Sequence, residues 1–439
     1  MKKILFYISF LLTANLLIAQ KVKLVNESNQ WNLLVNNEAF YIKGAGGTVH
    51  LKEVKEAGGN TIRTWGLEQA ESILNEADRL GLKVMLGLWV NHERHGFDYN
   101  DTFKVKQQLE NFREAVVKFK DHPALLMWGV GNEYELEYSN TKVWSCVNDI
   151  AKMIHELDKE HPTATVTAGT TLEKVKFIKE VMTDIDIYGI NTYGDIEQVQ
   201  SILNEGNYKG PYMITEWGPN GHWESPKTSW GKSIEQSSSE KKEVYDSRYK
   251  RCIKANRNQC IGSFAFLWGQ KQEYTSTWYG LFSESGKPTE AVDALASNWT
   301  ETKLSNCSPS IDSILVNGKK HTNELKLEQD RVYRFSVYAK DPDGDQLNFK
   351  WQFYPESTDL KTGGDRENKP GEISGKLKKS KKQDVYLSTN LDEGAYRLFV
   401  FVDDNKKEAY LNIPVYVNYS KNRKTNFTLE TQMLTKENE

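Results

Sequence analysis

Between residue 40 and about residue 298 the chain alternates short apolar runs with stretches of helical periodicity, eight times over. A short apolar run followed by an amphipathic helix marks a parallel strand with its crossover, and few folds accommodate eight in succession. The runs fall at 40–44, 60–65, 82–90, 124–133, 164–169, 186–193, 212–218 and 262–269. The third, Leu82-Lys-Val-Met-Leu-Gly-Leu-Trp-Val90, is apolar almost throughout, as a strand covered on both faces must be. Between the runs, Gly81 supplies a helix stop after Leu80. Trp144, Val147, Ile150, Ile154 and Leu157 share one helical stripe that faces a core. Eight units in roughly 260 residues match the size of an α/β, (β/α)8 TIM barrel. A doubly wound open sheet is the competing reading, but no glycine-rich phosphate loop supports it.

The flanks have a different texture. Met1-Lys2-Lys3 followed by an apolar stretch from Ile4 to Ala19 reads as a secretory signal, so the chain is expected to be exported, to the periplasm or beyond. The barrel is assigned to 20–300, with a hairpin at 21–37 plugging its bottom. Past Glu301 the helical period gives way to short β-type runs at 311–316, 332–338, 347–353, 385–387, 396–402 and 410–417. This is the pattern of an all-β immunoglobulin-like sandwich domain, assigned to 301–419. The polar stretch 420–439 reads as a disordered tail.

A net charge of −3 gives no reason to expect nucleic acid or an anionic membrane as a partner. No later run approaches the length of a membrane span, and a monomer is expected. The 12 Trp and 21 Tyr suit both a core and the apolar faces of sugars. Of the four cysteines, Cys146, Cys252, Cys260 and Cys307, the pair 252/260 is close enough in the chain to bridge a helix end to the next strand. A disulfide is expected there. No CxxC pair suggests a metal, and neither metal nor cofactor is expected.

The fourth and seventh runs each carry a glutamate near their end: Glu133 in Trp128-Gly-Val-Gly-Asn-Glu133, and Glu216 in Met213-Ile-Thr-Glu-Trp217. A carboxylate buried in an apolar strand costs free energy, but at a strand exit it can point into the solvated mouth where barrels keep their active sites. Strands four and seven lie nearly across the barrel from each other. Retaining glycoside hydrolysis needs one carboxylate as nucleophile and one carboxylic acid as proton donor, roughly 5–5.5 Å apart. The neighbours complete the set. Arg63, closing the second run, can hold Glu216 ionised, and Tyr193, closing the sixth, can donate its hydroxyl to the same group. Asn132 is placed to bond a sugar hydroxyl, and Trp268 to form the floor under a sugar ring. Trp65 and Trp217, beside Arg63 and Glu216, are assigned to substrate with them.

This constellation, Arg63, Asn132-Glu133, Tyr193, Glu216 and Trp268 on strands two, four, six, seven and eight, resembles the shared pattern of the clan A retaining barrel glycosidases. The resemblance implies that Glu133 is the acid/base and Glu216 the nucleophile. The short barrel with one sandwich behind it, and the segment from Trp268 to Phe282, are similar to glycoside hydrolase family 158. That family implies an endo-β-1,3-glucanase acting on laminarin-type β-glucan. A transglycosylase, a β-glycanase of another linkage such as mannan or β-1,4-glucan, and a non-catalytic glucan-binding protein remain as alternatives.

Other residues carry weaker signals. His92, Glu93 and His95 follow the third run but lack the zinc-protease spacing, so His92 is assigned to sugar hydrogen bonding. Glu135 and Glu137 read as solvated charges, either of which becomes the acid if the strand ends two residues later. The long loop after the seventh run carries Trp223 and Trp230; Trp223 is assigned to substrate, against the alternative that both fold back on the barrel. The Asp341-Pro-Asp-Gly-Asp345 cluster reads as an acidic turn rather than a calcium loop.

Overall fold

Two pairs of residues at positive φ build the first element. Ser28 and Asn29 (52° and 65°) and Asn36 and Asn37 (52° and 69°) make two-residue turns of the kind that suits the twist of paired strands. They join β1 (Val22–Glu27), β2 (Gln30–Val35) and β3 (Glu38–Ala39) into an antiparallel sheet. The structure is a computed structural model and describes residues 21–321, 323–379 and 383–419. The signal segment and the tail read from the sequence lie outside these residues. Among the described residues, no helix is long and apolar enough to cross a membrane.

The small sheet covers the bottom of a closed barrel. Val22 and Leu33 pack with Ile42, Met127, Met213 and Ile261 from the lower ends of its strands. Val22 N–H donates to Glu160 O and Trp31 N–H to Asn258 O, both in loops that enter strands from below. The barrel consists of β4 (Ile42–Gly46), β5 (Thr61–Arg63), β6 (Lys83–Leu88), β7 (Leu125–Val130), β8 (Thr163–Ala168), β9 (Ile187–Asn191), β10 (Tyr212–Trp217) and β11 (Cys260–Ala265). All pairings are parallel, and β11 closes the ring against β4. A helix follows each strand. Their starts are written in the sequence: Asp101 accepts from the Phe103 and Lys104 amides, and Ser237 forms a reciprocal capping box with Glu240. Trp144, Val147, Ile150 and Ile154 are all fully buried on the expected stripe.

Beyond the barrel, nine strands form two sheets: β12 (Ser310–Val316), β13 (Lys319–His321), β14 (Leu325–Glu328), β15 (Val332–Lys340), β16 (Asn348–Pro355), β17 (Leu377–Lys379), β18 (Asp384–Ser388), β19 (Gly394–Asp403) and β20 (Glu408–Asn418). The sheets run β13-β12-β15-β18-β17 and β14-β20-β19-β16. They share one core in which Ile314, Phe335 and Val385 of the first meet Phe353, Val400 and Val415 of the second. The six runs read from the sequence are all strands. β13, β14 and β17 escaped because they are short and lysine-bearing, without a long apolar alternation.

The expected disulfide does not form. All four cysteines are free thiols. Cys260, at the start of β11, turns its Sγ to Gly262 O at 3.4 Å, whereas Cys252, in the helical turn before it, is flanked by Glu197 and Arg251. Proximity in the chain did not bring the two side chains to face each other.

The helix Ser238–Arg248 couples the two parts of the molecule. Lys241 Nζ, buried, donates to Glu235 at 2.6 Å, to Thr277 O at 2.7 Å and to Tyr410 Oη in β20 at 3.1 Å. Asn412 of β20 donates to the same Glu235 at 2.6 Å. In β19, Arg397 pairs with Glu356 and reaches back to Ser233 O at 2.9 Å. Removing one partner of such a dry pair leaves a buried charge uncompensated. Lys241→Met is therefore expected to destabilise the protein by about 3–5 kcal/mol, read as a lowered midpoint in denaturant or thermal unfolding.

Candidate active site

The upper ends of β5, β7, β9 and β10 converge on one buried cation. Arg63, the last residue of β5, is 1% exposed. Its Nη1 donates to Glu216 Oε1 at 3.1 Å, to Thr215 O at 2.7 Å and to Asn191 Oδ1 at 3.2 Å, and its Nη2 to Asn132 Oδ1 at 2.5 Å. Two further donors complete the surroundings of Glu216: Trp65 Nε1 to Oε1 at 2.7 Å and Tyr193 Oη to Oε2 at 3.2 Å.

Glu133 arrives by a tighter route. β7 ends at Val130, and the chain turns through Gly131 (φ +79°) and Glu133 itself (φ +48°). A Cβ at Gly131 would stand 2.5 Å from the Tyr134 ring, so only glycine fits that turn. A glutamate in the left-handed region is uncommon, and such strain collects at functional sites. Glu133 accepts one hydrogen bond from a side chain, Asn191 Nδ2 at 2.8 Å. Burial first, and the Glu216 charge second, push its carboxyl up to about 8. The two carboxyls thus share a neighbourhood but not an environment.

Both line a cleft of about 710 Å³ with Trp65, Asn132 and Tyr193. Trp223, 57% exposed, stands on its wall, edge-on to Tyr193. The site residues read from the sequence therefore divide. Arg63, Trp65, Asn132, Glu133, Tyr193, Glu216 and Trp223 are brought together. Trp217, Trp268 and His92 are not. Trp217 follows Glu216 in an extended strand, so it points the opposite way and packs outward against Tyr245 and Tyr249. Trp268 is fully buried between Phe282 and Trp299. β11 ends at Ala265, three residues earlier than Trp268, and Phe266 enters the cleft instead. His92 is 1% exposed, stacked behind Trp89, and burial lowers its imidazole to about 4.

Several neighbours have other employment. Glu135 is tied to the Ala168 amide and to Lys174, each at 2.8 Å, which removes it as a rival to Glu133. Glu93 accepts from the Ser139 and Asn140 amides. Trp230 leaves the barrel and packs against Tyr416. In the acidic turn, Asp341 accepts from the Asp343 and Asp345 amides.

Asn191, Trp89, Glu273 and a segment of the second domain, residues 361–365, also line the cleft and were not found from the sequence. Asn191 and Trp89 each stand at a strand exit, β9 and β6, and that position was the available signal. Nothing local marks 361–365.

The arrangement offers a proton on one carboxyl and a donor-ringed acceptor on the other, inside one cleft. It can serve acid-assisted displacement at a carbon bearing an oxygen leaving group. Because Asn191 stabilises the charged form of Glu133, Asn191→Ala is expected to raise the Glu133 pKa further, read by carboxyl NMR titration against wild type.

Residues 48–302 match the family model described as glycosyl hydrolases family 2, TIM barrel domain. Over 164 residues the chain is 29% identical to a β-galactosidase of Thermoanaerobacter pseudethanolicus, taking in 37% of this chain and 19% of that protein. Over 318 residues it is 22% identical to the β-galactosidase BoGH2A of Bacteroides ovatus, taking in 59% and 37%. The crystal structure of a Bacteroides uniformis β-glucuronidase superposes with a TM-score of 0.51 at 13% identity, covering 91% of this chain and 48% of that one, a likeness of fold. The chain thus spans well under half the length of these curated relatives. The clan resemblance read from the sequence holds, but within that clan the matched family is 2 rather than 158. With more than half of its length covered by that match, the chain belongs to the family of glycosyl hydrolases family 2, TIM barrel domain.

Proposed function

We propose that this chain is a retaining β-glycosidase in which Glu216 is the nucleophile and Glu133 the acid/base. The observation that carries the reading is the asymmetry of the pair: three donors reach Glu216, while burial and the Glu216 charge keep a proton on Glu133. Glu216 attacks the anomeric carbon as the glycosidic C–O bond breaks, and Glu133 passes its proton to the departing oxygen. With Glu216 esterified its charge is gone, which removes one of the causes raising Glu133. Glu133 then takes a proton from water, the water oxygen bonds to the anomeric carbon, and the Glu216 carboxylate leaves.

The substrate we infer is a neutral β-linked glucan, with laminarin-type β-1,3-glucan first. Exposed Trp223 and half-buried Trp89 offer apolar faces to pyranose rings. Cations near the cleft are already paired: Arg63 with Glu216, Lys271 with Glu273, Lys361 with Asp359 and Arg94 with Asp365. This argues against a uronide. Cleavage of β-galactosides is the second reading, favoured by the names of the two curated relatives. A screen on laminarin, lichenan, mannan and aryl β-galactoside, with chromatography of products, separates the two.

Glu133→Gln is expected to lower turnover by about 10²–10⁴-fold, and Glu216→Gln by about 10⁴-fold or more. Near-normal rates in either would overturn the assignment. The active form of Glu133 carries the proton, so kcat/KM is present below its pKa and falls as pH rises through about 8. Glu133→Gln, assayed on an aryl glycoside with a good leaving group, is expected to lose that limb.

A further inference from the structure

The connection from β16 to β17 leaves the sandwich and comes down on the barrel rim. Asp365 accepts from Arg94 with both oxygens, at 2.8 and 3.3 Å, and faces His95 Nε2 at 3.1 Å. Arg94 also donates to Thr362 O at 3.2 Å, and Lys271, beyond the exit of β11, donates to Gly364 O at 2.5 Å. Gly363 has φ +61°, and a Cβ there would stand 2.8 Å from Leu136 Cδ2 and 2.9 Å from Arg94 Nη2. Backbone itself is pressed on the rim, three residues past Glu133.

Behind this contact runs a line of rings. Arg94 Nε donates to His92 Nδ1 at 3.2 Å. His92 stacks on His95 at 5.2 Å and on Trp89 at 4.6 Å, nearly parallel to both. Trp89 and residues 361–365 line the same cleft as Glu133 and Glu216. One carboxylate of the second domain therefore fixes a wall of the cleft directly and, through Arg94 and His95, the stack that backs Trp89.

We propose that residues 361–365 form a sugar subsite supplied by the sandwich, with Asp365 as its positioning residue and a pyranose of a neutral β-linked oligosaccharide as its ligand. The proposal rests on the glycosidase reading above and deepens it. A single-sugar aryl glycoside fills the scission site alone, whereas an oligosaccharide extends onto the loop and Trp89. The Arg94 side chain is only 6% exposed, so removing Asp365 loosens the loop's hold on the rim and leaves a shielded guanidinium without its carboxylate.

The test compares wild type with Asp365→Ala and, from the barrel side, Arg94→Gln, each checked by circular dichroism. The ratio of kcat/KM on laminaripentaose to that on an aryl β-glucoside is expected to fall about tenfold, through KM, and to recover in part in Asp365→Glu. Separately, in a Glu216→Gln background, calorimetric Kd for laminaripentaose is expected to weaken about tenfold on adding Asp365→Ala. An unchanged ratio together with an unchanged Kd overturns the subsite, as does a failure of the pentasaccharide to bind at all. A wild type that hydrolyses nothing, but whose binding weakens in the variant, sinks the catalytic reading and supports the subsite.

Discussion

The guanidinium of Arg63 directs its donors to Glu216, Asn132, Asn191 and the Thr215 carbonyl, so four strand ends take their relative positions from one buried charge. That charge also constrains protonation. Two carboxyl groups and one cation are enclosed together, and a second bare anion would be left without compensation in a medium of low dielectric, at a cost of several kcal/mol. Keeping a proton on one carboxyl is lower in free energy. Which carboxyl holds it follows from the donors: Arg63, Trp65 and Tyr193 all point at Glu216, whereas among the described residues one side chain, Asn191, points at Glu133. The proposed division into acid and nucleophile thus follows from where the donors of Arg63, Trp65 and Tyr193 point.

The barrel and the inner ring of the site were legible because both obey short-range rules. A parallel strand covered on both faces must be apolar, and the polar residue at its exit must face the mouth or the helices. Arg63, Asn132, Glu133, Tyr193 and Glu216 follow directly. The misassignments follow from the same rule applied one step too far. Trp217 is adjacent to Glu216, and adjacency in a strand means opposite faces. β11 ends at Ala265, before Trp268, so the aromatic that this strand exit sends into the cleft is Phe266. His92 follows the same exit as Trp89, but its stack with Trp89 and His95 puts it behind the wall. Asn191 was hidden inside a run read as strand to Tyr193. Residues 361–365 lie more than two hundred positions beyond Glu133, and no periodicity connects them; only the packing of one domain on the other does.

That difference in legibility separates chemistry from selectivity. The groups proposed to break the bond stand at or just past strand ends, held by a ring of hydrogen bonds centred on Arg63. The walls are another matter. Trp223 belongs to a long loop, Trp89 is steadied by a ring stack, and the remaining face comes from the sandwich through Asp365. Loops tolerate change far better than strand ends, so a barrel can keep its paired carboxyls while its walls are exchanged. The match to the family 2 barrel model therefore speaks to the barrel, the likeness to a β-glucuronidase speaks to the fold alone, and neither names the sugar. The subsite proposed for the sugar lies where the second domain meets the rim, and that meeting is organised by a carboxylate outside the matched span, at position 365, and a guanidinium inside it, at position 94.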